Sequence, residues 1–412
     1  MNAYLINNEG VNRFYRLNWD AVSNFPIPMV TFVDNHFLDK DPMHLNKLSL
    51  VNFKNYADTV LDLHPKLNCF VGNNGVGKTN LLDAIYYLCV CKSYFNVTDA
   101  YSIKTDEDYM LLQGEFIRKN KKEEIQCGLQ RDKKKQFKRN KKDYERLSDH
   151  VGLLPVVMVS PADIQLIVDG SEERRKYING VISQYNRNYL DNTMKYNKVL
   201  SQRNRLLKDL KGKNTQKDLL DIFDDQLIET GQSIYQERKH FIEKFIPVFA
   251  KYYSFISDGS ESVELVYHSQ LHVADFNDLL KNSRTKDLTV QFTTVGIHRD
   301  DLVLHLEGIP IRKIGSQGQQ KTYLVSLKLA QFEFLKEVKG ILPVLLLDDV
   351  FDKFDANRVK QILKLVGNEA FGQIFITHTN LDRMTTILNE LAISHKLFQV
   401  KDNQVKEIQS TH

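Results

Sequence analysis

One stretch constrains this chain more than any other: Gly72-Asn73-Asn74-Gly75-Val76-Gly77-Lys78-Thr79. It follows an apolar run (Leu67, Cys69, Phe70, Val71) and opens a helical one (Leu81, Leu82, Ala84, Ile85, Leu88). Gly72, Gly77, Lys78 and Thr79 fit the phosphate-loop pattern in its strand–loop–helix context. Glycines let backbone N–H groups close around phosphate oxygens, and the helix N-terminus adds the positive end of its dipole. In such a loop Lys78 reaches the β- and γ-phosphates, and the Thr79 hydroxyl ligands Mg²⁺. The alternative is a mere Gly-rich turn, which the flanking strand and helix patterns argue against.

A second constellation lies far downstream. Residues 341–347 form an apolar run ending in Asp348-Asp349, the pattern of a buried strand with an acidic tip. Beside a phosphate loop, Asp348 would hold Mg²⁺ through water and Asp349 would polarise the attacking water. Without such a loop, two acids there would only cap the next helix. Upstream, Ile314-Gly315-Ser316-Gln317-Gly318-Gln319-Gln320-Lys321 opens a helix carrying Leu324, Leu327, Leu329, Ala330 and Phe334. A Ser/Gly/Gln turn at that place is either an anion site or an ordinary cap. Downstream, Phe351-Asp352-Lys353-Phe354-Asp355 precedes Gln373-Ile374-Phe375-Ile376-Thr377-His378, a strand ending in a polar switch near the γ-phosphate. His378 thereby joins Lys78 and Asp349 as a catalytic candidate.

The two constellations frame a long interior. Residues 45–71 read as two or three strands, with Phe53-Lys54-Asn55-Tyr56 between the first pair. That basic and aromatic turn either touches the nucleotide or is simply solvated. Residues 111–157 read as further antiparallel strands with basic connections: Arg118, Lys119, Lys121 and Lys122, then Arg131, Lys133, Lys134, Lys135, Lys138, Arg139, Lys141 and Lys142. Such runs are either solvated hairpin tips or a rim that tracks phosphates, with Phe137 and Tyr144 interleaved. Ser160-Pro161-Ala162-Asp163 and Ser171-Glu172-Glu173-Arg174-Arg175 open a region of helix starts. From 174 to 253 the apolar spacing is helical, broken by a basic hinge at Ser201-Gln202-Arg203-Asn204-Arg205 and at 208–217. Strand patterns return at 263–267 and 288–294, leading into Gly296-Ile297-His298-Arg299-Asp300-Asp301 and a strand at 302–306.

Bulk properties bound the answer without deciding it. At 412 residues the chain holds two or three domains, and a formal charge of +4 is too small to prove a nucleic-acid partner. Four cysteines show no paired metal spacing, so a reducing cytoplasm is the simple reading. No apolar run reaches the roughly 18 residues of a membrane span, and no secretory signal is visible. Residues 1–42 show no helical period; Met43 begins a clean alternating strand. The leader is thus expected to be upstream of the native start or disordered, the alternative being a cover for a sheet edge.

Ser316-Gln317-Gly318-Gln319 resembles the signature of the ABC-type ATPases, placed just before the acidic strand as that superfamily requires. About 270 residues separate Lys78 from Asp348, as in the chromosome-maintenance and double-strand-break repair ATPases, whose heads are split by an insertion. Five stretches together resemble the RecF recombination mediators: 45–56, 73–88, 160–175, 296–302, and 315–321 with 345–355. The leader has no counterpart in that family pattern, and His378 stands where RecF proteins often carry another polar residue.

The resemblance implies an α/β fold: an ABC-type ATPase head (phosphate-loop core with an antiparallel β subdomain) plus an inserted helical arm lobe. The expected division is a leader over 1–42, head over 43–173, helical lobe over 174–285 and head again over 286–412. It further implies ATP and Mg²⁺ as cofactors, with Gly72, Asn73, Asn74, Gly75, Val76, Gly77, Lys78 and Thr79 holding ATP, Thr79 and Asp348 the metal. Ser316, Gly318 and Gln319 would meet the γ-phosphate of a second subunit, with Asp355 at the seam. The implied activity is an ATP-gated homodimeric clamp with weak ATPase activity, acting at single-strand gaps and junctions with duplex DNA. There it would help RecO- and RecR-type partners load the recombinase and support the SOS response. Lys133, Lys134, Lys135, Lys138, Arg139, Arg203 and Arg205 are the DNA-phosphate candidates. A transporter ATPase subunit would share the core motifs but needs neither the helical insertion nor the basic hairpin. A structural tether would hold ATP and hardly turn it over. A nuclease would need a second acidic metal cluster.

Overall fold

Residues 44–53 alternate less cleanly than expected, because Leu45 and Leu48, and again Leu50 and Phe53, are three apart. In the computed structural model a register shift between Leu45 and Lys47 absorbs the extra residue, so Leu45, Leu48 and Leu50 all point inward. This strand, β1 (His44–Phe53), lies between β2 (Tyr56–Asp62) and β4 (Tyr109–Arg118). β5 (Lys121–Gln130), β6 (Gln136–Arg139) and β7 (Lys142–Asp143) complete a six-stranded antiparallel sheet in the order β2-β1-β4-β5-β6-β7. The structure describes residues 43–410 except 96–97, 211–217, 260, 352–358, 360–361, 365–366, 368–369 and 392. The leader, the hinge residues 211–217 and Asp355 therefore lie outside the described residues.

A second sheet carries the continuous apolar runs. β3 (Leu67–Val71), β8 (Val156–Val159), β12 (Val344–Leu347) and β13 (Ile374–His378) are buried at every position. With β14 (His395–Lys401) and β15 (Gln404–Ser410) they form the order β15-β14-β3-β13-β12-β8. All neighbours are parallel except β14 and β15. Runs apolar on both faces belong to such a doubly covered parallel sheet. Helix α1 (Lys78–Val90) packs against strands of both sheets, which is why it is apolar nearly all round. Leu81, Leu82, Ile85 and Leu88 are fully buried, each stabilising the head by about 2 kcal/mol.

The insertion folds as helices α2 (Ser171–Ser183), α3 (Arg187–Asp209), α4 (Asp218–Ile256) and α5 (Phe276–Val290). At 39 residues α4 runs about 58 Å at 1.5 Å per residue. It packs along α6 (Gln317–Lys339), where Phe241 and Phe334 meet at 5.0 Å between ring centroids and Phe249 and Tyr323 at 4.8 Å. A three-stranded sheet joins the insertion to the head: β9 (Val263–His268) pairs with β10 (Asp301–Leu306), and β10 with β11 (Ile309–Pro310). The last helix, α7, spans Leu381–Leu391.

Two expectations are corrected here. Ser201–Arg205 is no hinge: it lies inside α3. Nor is 288–294 a strand, since α5 continues to Val290 and Gln291 caps it in the left-handed region (φ 63°). The Asp287 carboxylate then accepts from Thr294 N (2.9 Å) and Thr294 Oγ1 (2.7 Å), which folds the segment back. Side-chain bonds to the backbone thus override the β propensity of its threonines and valine.

Within the stretch Gly296–Asp301, Ile297 and Asp300 are buried and act as a keystone. Arg238 of α4, 2 % exposed, donates to Asp300 Oδ2 (2.6 Å), Ile297 O (2.8 Å), Tyr189 Oη (3.0 Å) and Asn179 Oδ1 (3.1 Å). Next to it Asp301 accepts from Arg174 Nε (2.7 Å) and Nη2 (3.0 Å). These paired ions tie α2, α3 and α4 to the edge of β10.

Candidate functional site

The phosphate loop, the acidic tip and His378 leave the C-terminal ends of three adjacent strands, β3, β12 and β13, where open parallel sheets place ligands. Val71 pairs with His378 in register, and Gly72 N donates to His378 O (3.2 Å). The His378 ring is buried. Two glycines have reasons beyond the phosphate. A Cβ on Gly72 would lie 2.2 Å from the Val400 carbonyl oxygen, and one on Gly77 (φ 103°) 2.2 Å from Asn55 Nδ2. The turn left open between two readings braces the loop from outside. Asn55 Nδ2 donates to Val76 O (3.4 Å), Tyr56 Oη to Gly77 O (3.1 Å) and Asn80 Nδ2 to Asn55 Oδ1 (2.6 Å). Lys54 turns the other way, to the fully buried Asp83 at 2.6 Å.

Lys78 Nζ donates to Gly72 O (2.7 Å) and Asn73 O (2.8 Å), placing its charge against the loop backbone. The first turn of α1 carries no acidic residue, so nothing there opposes an incoming anion at the helix N-terminus. Thr79 Oγ1 donates to Asp348 across the sheet, 2.9 Å to Oδ1 and 3.0 Å to Oδ2. Thr377 Oγ1 donates to the same Oδ1 (2.8 Å) and accepts from Asp349 N (2.8 Å). Burial pushes the Asp348 carboxyl above its ordinary range, and the Thr377 and Thr79 hydroxyls pull against that. Asp349 sits in the left-handed region (φ 48°), an uncommon conformation for a residue with a side chain.

This arrangement fits Mg²⁺. A hydroxyl and a carboxylate, both hard oxygen donors, converge beside the phosphate loop, and Mg²⁺ at such sites keeps waters and phosphate oxygens as its other ligands. Among the described residues no cluster of three or more His, Cys, Asp or Glu side chains is arranged for a metal.

Ser316, Gly318 and Gln319 lie on a separate element, at the start of α6. Ser316 caps α6 reciprocally: its Oγ accepts from Gln319 N (3.2 Å), and Gln319 Oε1 accepts from Ser316 N (2.8 Å). Gln319 Nε2 donates to Glu261 Oε1 (2.8 Å). Ser316 is exposed, Gly318 and Gln319 half-buried.

The basic candidates divide. Lys133, Lys134 and Arg205 are exposed, while Lys138 and Arg139 are half-buried, Arg139 with both Glu123 oxygens. Lys135 is taken by Asp99 (2.7 Å), the Cys91 carbonyl (2.5 Å) and Tyr87 Oη (3.1 Å). Arg203 is a correction: it is fully buried, held by Asp224 (2.6 Å), Asp287 (2.8 Å) and Thr293 (2.9 Å). In this fold it cannot reach a phosphate. Sequence reasoning assigned no part to Thr377 or Glu261. Thr377 had a signal, a hydroxyl in an otherwise apolar strand, whereas Glu261 had none.

Comparisons with known proteins place the chain in a family. A family model described as RecF/RecN/SMC N terminal domain matches residues 44–404. The DNA replication and repair protein RecF of Phocaeicola vulgatus is 47 % identical over 367 residues, covering 89 % of this chain and 98 % of the relative. Its counterpart from Bacteroides thetaiotaomicron is 48 % identical over 367 residues, covering 89 % and 99 %. A solved structure of the recombination mediator protein RecF with ATP, in the RecFOR pathway, superposes with a TM-score of 0.82 at 33 % identity, over 90 % of this chain and 99 % of that one. A Smc head domain from Pyrococcus furiosus shares the fold at 16 % identity (TM-score 0.54, 89 % of this chain and 96 % of that one). With its phosphate loop, acidic strand and signature turn set in an ABC-type ATPase head that these relatives match nearly end to end, the chain belongs to the RecF family of DNA replication and repair proteins.

Proposed function

We propose that this chain binds ATP and Mg²⁺ and closes as an ATP-dependent homodimer on DNA in recombinational repair and replication restart. One observation carries the reading. The phosphate loop and its acid are joined within the chain by the Thr79–Asp348 bond, while the exposed Ser316 is bonded to Gln319 of its own helix, and Gln319 in turn to Glu261. An anion site at a helix N-terminus, built but not turned on its own loop, suits the nucleotide of a second head. The loop amides and Lys78 bind the phosphates; Thr79 and Asp348 hold the metal; Ser316 and Gly318 close over the γ-phosphate of the other head. Bound there, Mg²⁺ offsets phosphate charge and polarises the γ-phosphate. Asp349 orients the attacking water, with His378 beside it, in a slow hydrolysis that reopens the dimer. Because ATP is then part of the interface, nucleotide state and head affinity are linked reciprocally.

Lys133, Lys134 and Arg205 supply sequence-independent phosphate contacts, to single strands and duplex alike at gap junctions. A solved relative is a recombination mediator in the RecFOR pathway, which supports RecO- and RecR-type partners; recombinase loading and a part in the SOS response are the roles proposed for the closed dimer. Among the described residues no helix is long and apolar enough to cross a membrane, and the four described cysteines are unpaired and buried, which suits the cytoplasm. The test is DNA affinity by fluorescence anisotropy with and without ATP–Mg²⁺. Affinity should rise about tenfold or more with ATP, by about 1.4 kcal/mol, and Lys78→Ala should abolish the rise; an ATP-independent affinity contradicts the reading.

A further inference from the structure

Glu261 lies between the end of the long arm helix α4 and strand β9, outside every motif that carries nucleotide chemistry. Its carboxylate is divided between two elements. Oε1 accepts from Gln319 Nε2 (2.8 Å), and Oε2 accepts from the hydroxyl of Tyr253, on the last turn of α4. Gln319 is thus used at both ends of its amide: the oxygen accepts from Ser316 N (2.8 Å) and the nitrogen donates to Glu261. A side-chain amide free to flip could cap Ser316 with the wrong end; a carboxylate facing its nitrogen fixes the orientation. The far side of the bridge is rigid. Tyr253 is fully buried, its ring 5.6 Å from that of Tyr323 on α6, and Tyr323 Oη donates to Glu264 O (2.9 Å). Ser262 N donates to Glu307 Oε1 (2.5 Å), which anchors the following residue to the β10–β11 turn.

We infer that Glu261 is the positioning residue of the signature turn: it locks the Gln319 amide, and with it Ser316, to the end of the arm helix. The arm and the γ-phosphate contact made in a second head are thereby one mechanical unit. This rests on the ATP-closed dimer proposed above. A displacement of α4 by ligand on the arm moves Glu261, releases Gln319 and weakens the closed state.

The experiment compares wild type, Glu261→Ala and Glu261→Gln, each as the full chain, in three measurements: binding of a fluorescent ATP analogue at protein concentrations where the chain is monomeric, the protein concentration at half-dimerisation in ATP–Mg²⁺, and hydrogen exchange of residues 315–320. In Glu261→Ala the dimerisation midpoint should rise about tenfold or more, equivalent to about 1.4 kcal/mol. Exchange at 315–320 should quicken while nucleotide affinity stays at the wild-type value. Glu261→Gln keeps an oxygen acceptor and should recover part of the midpoint. Wild-type exchange and an unchanged midpoint in both variants, in a protein whose wild type does dimerise, would overturn the inference alone. A wild type that never dimerises with ATP would overturn the proposed function and this inference together. Loss of thermal stability with an unchanged midpoint would reduce Glu261 to a fold contact, and so would also overturn it.

Discussion

Two hydroxyls hold Asp348, Thr79 from the phosphate loop and Thr377 from the neighbouring strand. Only the first would be a metal ligand, so their loss should read differently. Thr377→Val keeps shape, removes one bond to Asp348 and strips Asp349 N of its acceptor. Groups that orient a metal ligand are typically worth about 10–100-fold in metal affinity. Mg²⁺-dependent nucleotide affinity should therefore fall about tenfold, with affinity in excess chelator unchanged, in a titration with a fluorescent ATP analogue; an unaltered Mg²⁺ dependence contradicts this. Arg203 gives the opposite lesson. Its acids lie 21 and 84 residues away in sequence, so a basic residue in a basic run gave no sign of being buried. Arg203→Met takes the guanidinium from the buried Asp287, which keeps only hydroxyl and amide donors, while Asp224 keeps Arg284 (2.7 Å), and should cost about 3 kcal/mol by chemical denaturation, leaving the DNA affinity of the folded protein unchanged. By contrast Lys133→Glu with Lys134→Glu should leave stability alone and reduce the slope of log affinity against log salt by about 2. A salt slope equal to wild type would remove that surface from the DNA path.

At the scale of elements, the sequence was most legible where signals were local. The phosphate loop sits between an apolar strand and an apolar helix, and the acidic tip ends a continuous apolar run; each is written within a few residues. The segment 288–294 was misread because its conformation is set by the Asp287 carboxylate and by contacts to α3, not by its own pattern. His298 belongs to the same corner. It accepts from Tyr196 Oη (2.8 Å) through Nδ1 and donates from Nε2 to Thr293 O (3.0 Å). Burial lowers its pKa to about 4 from the ordinary 6.5, and His150, against Leu88 O, is lowered to about 4 as well. Between those values the unfolded chain takes up protons that the fold refuses. Stability therefore rises with pH through this window and is lost on acidification, by about 1 kcal/mol per histidine from pH 7 to 5.5. His298→Gln can accept and donate in the same place without titrating. Urea denaturation at the two pH values should show a smaller acid loss for the variant; an equal loss would place the acid sensitivity elsewhere.

Taken whole, the molecule is an ATPase head interrupted by a helical lobe whose longest helix packs along the helix that bears the signature turn. Head and insertion were readable from motif order alone. The coupling between them was not, because Arg238, Glu261 and the β9–β10 pairing act across separations that no local pattern records. The central claim is that two heads share nucleotide, each completing the site of the other. Light scattering with and without ATP–Mg²⁺, on wild type and Ser316→Arg, tests it most directly. The mass of the wild type should double with ATP, while the variant, still binding ATP, stays monomeric because a bulky side chain fills the exposed turn that must meet the second nucleotide. A mass that never changes with ATP, or a variant that dimerises as the wild type does, would contradict the shared site.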